Sequence, residues 1–326
     1  MMKKLKMPYA ITSLAFNSKG DLLAASSYSD KQIDVFSLNT FDKVKSIDLT
    51  DCYNPENSIL WIENTIVCID DNAKKISFID YEKGSIVNEF THLHARGFES
   101  IDYVEIDDKG YILASGKKIH PPTLEKLGLK IDHKNLSNLF LMDLKGNLID
   151  SCSIKGNILK AKFINFRSEK LVFVISRNIE GTFVYLLSDE FDILKEHRLT
   201  AFSAINAFIA SNKKNTYVAL QFKNETNPTL FVKYATNDFS VITKENFINS
   251  KYFNSNEGYV NSVFSSDTLS LIETLVKNDD SLLKIVDEES SNLIGEFESY
   301  GFMESVAFKE KRIAWSENNY INVVNI

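Results

Sequence analysis

Seven short runs share one form: Ile33-Asp-Val-Phe-Ser-Leu38, Ile76-Ser-Phe-Ile-Asp-Tyr81, Leu139-Phe-Leu-Met-Asp-Leu144, Phe183-Val-Tyr-Leu-Leu-Ser188, Leu230-Phe-Val-Lys-Tyr-Ala235, Leu283-Lys-Ile-Val-Asp-Glu288 and Ile321-Asn-Val-Val-Asn-Ile326. β-Branched and aromatic residues dominate them and turn formers follow most of them, which is a strand signature and not a helical one. Their starts are separated by 43, 63, 44, 47, 53 and 38 residues. A repeat of four strands recurs at about 40–45 residues, so two of the intervals carry insertions.

Working outward from these runs, the same order of strands recurs. The first unit reads as an inner strand Ile11–Phe16, then Leu22–Ser26, Gln32–Leu38 and an outer strand Val44–Leu49. The second reads as Ser58–Ile62, Thr65–Asp70, Lys75–Tyr81 and Ser85–Phe90. Later inner strands are predicted at Ser100–Ile106, Leu159–Phe163, Ile205–Ile209, Val260–Phe264 and Met303–Phe308. The seventh unit stops after its third strand at Ile326, while Lys3–Tyr9 are left over before the first. An exposed strand edge invites further pairing, so the leftover segment is expected to cover it. The expectation is all-β: one domain over residues 1–326, a seven-bladed β-propeller whose last blade is closed by the N-terminal strand. Blade three carries an insertion at about 117–137.

The pattern resembles the WD40 family across essentially the whole chain. Where WD40 blades carry Trp-Asp at the end of the third strand, this chain has Phe36-Ser37, Ile79-Asp80, Met142-Asp143 and Val286-Asp287. No Gly-His dipeptide precedes a blade, so the family's Asp–His–Ser/Thr–Trp network is not expected to form. Asn17-Ser-Lys-Gly20 and Ile79-Asp-Tyr-Glu-Lys-Gly-Ser85 resemble the YVTN-type propellers equally. The resemblance implies the architecture. It also implies that the loops joining the second to the third strand, and one blade to the next, share a top face where partners commonly bind.

Composition narrows the function classes. Hydrophobic residues make up 44% and charged residues 25%, ample for a folded core. A net charge of −7, with only five Arg among 37 basic residues, argues against nucleic-acid and anionic-membrane binding. Cys52, Cys68 and Cys152 are odd in number and far apart, which points to free thiols and a reducing, cytoplasmic compartment. The opening Met-Met-Lys-Lys-Leu-Lys mimics a signal peptide, but Pro8, Thr12, Ser13 and Asn17 interrupt the apolar core one would need. No run is long and apolar enough to predict insertion in a membrane.

No catalytic motif is present, and no cofactor is expected. The expected function is a non-enzymatic protein-interaction platform, an accessory or assembly scaffold for a protein partner. The contact residues selected are Tyr53, Arg96 and Phe98, with His120, Leu124 and Leu127 of the insertion and Tyr252 and Phe253 of a later loop. Exposed aromatic and Arg side chains supply most interface hot spots. Two alternatives stand beside this reading. His92, His94, His120 and His133 cluster around the insertion and would suit zinc or a similar metal in a metal- or small-ligand-binding module. Asp102, Asn206, Asn261 and Glu304 on inner strands form an oxygen-ligand set that resembles that of calcium-dependent propeller lactonases, although Lys160 in the same ring opposes a cation.

Overall fold

The computed structural model describes residues 2–27, 31–49, 59–70, 75–92, 95–118, 136–166, 169–212, 214–223, 229–235, 238–246, 259–264, 271–277, 280–286, 293–299, 303 and 305–326. Strand β1 (Lys3–Lys6) comes first. Sheet one follows with β2 (Ser13–Phe16), β3 (Leu22–Ser26), β4 (Gln32–Ser37) and β5 (Lys43–Asp48). Sheet two has β6 (Ile59–Ile62), β7 (Thr65–Asp70), β8 (Lys75–Asp80) and β9 (Ser85–Thr91). Sheet three has β10 (Ala95–Ile106), β11 (Lys109–Lys118), β12 (Leu139–Asp143) and β13 (Leu148–Cys152). Sheet four has β14 (Asn157–Phe166), β15 (Glu169–Asn178), β16 (Gly181–Leu187) and β17 (Ile193–Thr200). Sheet five has β18 (Asn206–Ser211), β19 (Asn215–Gln221), β20 (Thr229–Ala235) and β21 (Val241–Asn246). Sheet six has β22 (Tyr259–Phe264), β23 (Leu271–Lys277), β24 (Asp280–Val286) and β25 (Leu293–Ser299). β26 (Val306–Lys309), β27 (Arg312–Glu317) and β28 (Tyr320–Asn325) complete the chain. Six sheets are antiparallel meanders in chain order. In the seventh, β1 lies outside β28, and among the described residues there is no helix.

Burial explains the composition of each strand. Middle strands are covered on both faces and read as continuous apolar runs, as in Leu22-Leu-Ala-Ala-Ser26. Outer strands are solvated and alternate; of Lys43–Asp48 only Ile47 is buried. Side chains leave opposite faces of a strand in turn, so each sheet serves two cores. Ile33 and Val35 pack on Ile59 and Ile66, and Ile76 and Phe78 pack on Ile101 and Phe140. Leu139 and Leu141 meet Val172 and Tyr185, and Phe173 meets Val218 and Tyr234. Sheets five and six touch through β18 and β19 against β22, and Leu283 and Ile285 pack on Ile313 and Trp315. Ile321 and Val323 of the last sheet pack on Leu14 and Leu23 of the first.

Polar side chains stitch the sheets together where an inner strand leaves its N–H groups without a ladder partner. Leu14 N donates to Ser305 Oγ at 3.0 Å, Ile59 N to Ser13 Oγ at 3.1 Å and Ala161 N to Ser100 Oγ at 3.4 Å. Near the outer connections, Ile154 N donates to Asn138 Oδ1, Ala204 N to Thr182 Oγ1 and Met303 N to Ser281 Oγ, all at 2.8–2.9 Å.

The turn from third to fourth strand repeats as well. Its first residue is a short polar cap: Ser37, Asp80, Asp143 or Ser188. Its αL position is Gly84 or Gly146 in two sheets, but Phe41, Phe191 and Phe239 in three others, at φ of 55–64°. A phenylalanine in αL costs about 1–2 kcal/mol, which burial of the ring offsets: Phe191 and Phe239 are buried, and Phe239 stacks on Phe166 at 5.2 Å.

Two expectations about blade three need correction. Its inner strand begins at Ala95 and not at Ser100, because Ala95 and Phe98 are core residues and the pairing with β11 continues past a register shift. The insertion expected from 117 also begins too early: Lys117 and Lys118 belong to β11, and Leu136 and Ser137 are buried. Residues 119–135 lie outside the described set.

The N-terminal strand pairs in register from Lys3↔Val323 to Lys6↔Tyr320. Lys4 Nζ reaches Glu317 Oε2 at 3.0 Å, and Met7 N donates to Asn319 O at 2.7 Å. Beyond it, the Tyr9 hydroxyl donates to the buried Asp34 carboxylate, which also accepts from Ser46 and, at 3.4 Å, from Lys43. Removal of residues 1–9 is expected to lower the melting temperature and promote aggregation, since it bares the β28 edge and empties the Met7 and Tyr9 sites. Thermal melts with light scattering check this; an unchanged melting temperature in a monomer would refute it. Tyr9→Phe alone is expected to cost about 1.5–3 kcal/mol, the range for a hydrogen bond to a charged group.

His197 lies between sheets four and five, its Nε2 3.1 Å from the Tyr234 hydroxyl. Burial holds its imidazole below the ordinary value of 6.5, with Lys195 and Lys244 adding to the effect. The unfolded chain then takes up the proton first, so this site's contribution is present above about pH 6.5 and declines as the pH falls through the folded pKa. The stability of wild type minus that of His197→Gln, from denaturant melts, should be flat from pH 8 to 7 and fall below that. A difference independent of pH would refute the burial effect.

Candidate functional site

Of the inner-strand oxygen ligands, Asp102 and Asn206 are the two whose side chains are described. Asp102 accepts from Phe163 N at 2.8 Å, so it joins sheet three to sheet four as the serines do elsewhere. Burial pushes its carboxyl up, opposed by Lys162, by the amides of Phe163 and Tyr103, and by Lys160. The Lys160 ammonium is held down by burial and by Lys162. Asn206 is exposed, and its Oδ1 accepts from the adjacent Ala207 N at 2.8 Å. Asn261 lies on β22, and Glu304 lies outside the described residues.

Of the four histidines, only His92 is described. It is half-buried, with its ring 4.6 Å from that of Phe140 and 6.2 Å from that of Phe90. His94, His120 and His133 lie outside the described residues, as do Tyr53, Leu124, Leu127, Tyr252 and Phe253. Among the described residues, no group of three or more His, Cys, Asp or Glu side chains is placed to hold a metal ion. Arg96 is exposed on β10. Phe98 was expected on the exposed rim, but it is only 2% exposed, packed against Phe90 and Phe140. It has no surface to offer a partner. Burial and Asp150 push the Cys152 thiol up to about 12, so it carries no thiolate for nucleophilic work near neutral pH. Among the described residues no helix is long and apolar enough to cross a membrane.

A surface that the sequence reading passed over is more distinctive. Because every sheet is an antiparallel meander, its second-to-third turn and the link to the next sheet emerge at the same end of the strands. At that end of sheets four and five stand Ile179, Phe202 and Ile205, which are 103%, 69% and 49% exposed. Ile179 tips the tight β15–β16 hairpin, and Phe202 and Ile205 lie in the link from β17 to β18. The Phe222 ring, half-buried, meets Phe202 edge-on at 6.4 Å and 74°.

The backbone that carries these side chains is fixed by hydrogen bonds. Thr182 Oγ1 donates to Phe202 O at 2.8 Å and accepts from Ala204 N at 2.9 Å. Arg177 Nη1 donates to Ala204 O at 2.7 Å, and Phe202 N donates to Thr200 Oγ1 at 3.2 Å. The hairpin and the link are thus tied together, so docking requires little ordering of the backbone. Each apolar side chain covered by a partner would contribute about 1.5–3 kcal/mol. Sequence reasoning missed the patch because Ile179 and Phe202 stand isolated in short loops without periodicity, and Ile205 reads as the start of an inner strand, which begins instead at Asn206.

No family model matches the chain, and no curated protein matches it. Similarity is found among solved structures, where the chain resembles that of U3-55K, a WD40 β-propeller protein. The TM-score is 0.69 at 10% identity, and the match covers 100% of this chain and 98% of that one. So low an identity speaks to architecture alone. The fold is a WD40-like β-propeller.

Proposed function

We propose that the seven sheets are the blades of a single ring, closed by β1 against β28, and that the ring is a non-enzymatic platform for protein partners. The observation that carries this reading is the preorganised apolar patch of Ile179, Phe202, Ile205 and Phe222. Monomeric proteins seldom hold several large apolar side chains in water at one place unless something covers them. The WD40-like fold supports the reading, since its loops display contacts while the sheets stay rigid. The free thiols of Cys68 and Cys152 are in keeping with a reducing compartment, which we take to be the cytoplasm.

The test is a paired substitution, Ile179→Ser with Phe202→Ser. Both side chains are solvent-facing, so the melting temperature should stay within the equivalent of about 0.5 kcal/mol. Affinity capture from the native cell should lose at least one protein that wild type retains. An identical set of captured proteins from both forms would overturn the assignment of this patch.

A further inference from the structure

The charges around the patch point to its partner. Lys155, Arg177, Arg198 and Lys223 stand near it, against Glu180 and Glu196 as acids close to Lys155. Lys155 and Glu180 neutralise each other at 2.9 Å, and the Arg177 guanidinium is committed to Ala204 O. Arg198 is exposed on β17 opposite Phe183; Lys155 holds the Glu180 carboxyl below its ordinary value, and Arg198 adds a smaller pull in the same direction. Lys223 is exposed beside Phe222. Among the described residues neither Arg198 nor Lys223 has an ion-pair partner. The chain as a whole carries a net charge of −7, so this is a local excess of positive charge around apolar anchors on an acidic protein.

We propose that the patch binds an acidic peptide segment of a partner protein, one whose aromatic or aliphatic side chains are flanked by Asp or Glu. The apolar side chains cover Phe202, Ile179 and Ile205, while the carboxylates meet Arg198 and Lys223. Charges at the rim of an interface act mainly on encounter rate and partner choice, and the apolar centre supplies most of the hold. A nucleic acid fits less well. The Phe202 ring already has Phe222 against it, and two isoleucines offer nothing to the hydrogen-bonding edge of a base. A second copy of this chain is also disfavoured, because two acidic molecules repel. The inference rests on the platform reading of the same patch.

The test is selection from a displayed library of random short peptides on the full-length protein. Selected peptides are then measured as synthetic fluorescent probes. The expected enrichment is Asp and Glu next to Phe, Leu or Ile. Phe202→Ser should weaken such peptides about tenfold or more. Arg198→Glu with Lys223→Glu should weaken them comparably, and raised salt should weaken wild type but not the charge-reversed form. Peptides that depend on Phe202 but are neutral or basic would overturn the acidic partner while leaving the platform reading intact. No Phe202-dependent enrichment at all would overturn both. A single-stranded oligonucleotide bound in a Phe202-dependent way would put nucleic acid in the site instead. Self-association abolished by Phe202→Ser would put a second copy there. Either result would overturn the proposal.

Discussion

Sheets that bury both faces cannot stand alone, and most of this molecule follows from that constraint. The pairs Ile33 with Ile66, Phe78 with Phe140 and Phe173 with Tyr234 each belong to two neighbouring sheets. Removing any sheet would bare apolar surface on both of its neighbours. The middle strands are therefore mostly apolar, and a charged side chain there such as Asp34 is buried with hydrogen-bond partners around it. Serines on or just before the inner strands act as connectors: Ser13, Ser100 and Ser305 each take an N–H from the next sheet. Asp102 belongs with them, which is why an acid on an inner strand need not signal a cation.

The strands were legible because burial imprints its period on the chain. Leu22–Ser26 and Thr65–Asp70 coincide with β3 and β7, and the later inner strands fall within a few residues of those observed. What was not legible has physical causes. A turn reader looks for glycine at the αL position and finds Phe41, Phe191 and Phe239, residues whose place is decided by the core beneath the turn. Phe98 sits in a stretch with loop-like composition, yet pairing with β11 draws it into the interior. Ile179 and Phe202 belong to no pattern at all. Only the folded chain brings the hairpin tip beside the link, through Thr182 and Arg177, and so makes a surface of them.

The division of labour among side chains is consistent from end to end. At one end of the sheets, capped turns with buried rings close the cores. At the other, links held by Asn138, Thr182 and Ser281 present whatever side chains follow them. Those side chains are free to vary because the link backbone is fixed by residues that do not face solvent. The proposed platform is built this way: the connectors set positions, and the exposed residues set chemistry.

The β1–β28 pairing joins segments that lie far apart in the order of synthesis. During synthesis Met7, Tyr9 and Ile11 emerge long before Ile321 and Val323, the core neighbours they pack against, exist. For that interval they have nowhere to go, and a contact spanning the whole chain closes slowly even afterwards. Lys3, Lys4 and Lys6 keep the waiting segment charged and soluble. Once β28 is in place, the same lysines change occupation: Lys4 pairs with Glu317 and Lys3 lies over the Phe41 ring. The segment thus acts first as its own solubility tag and later as a latch.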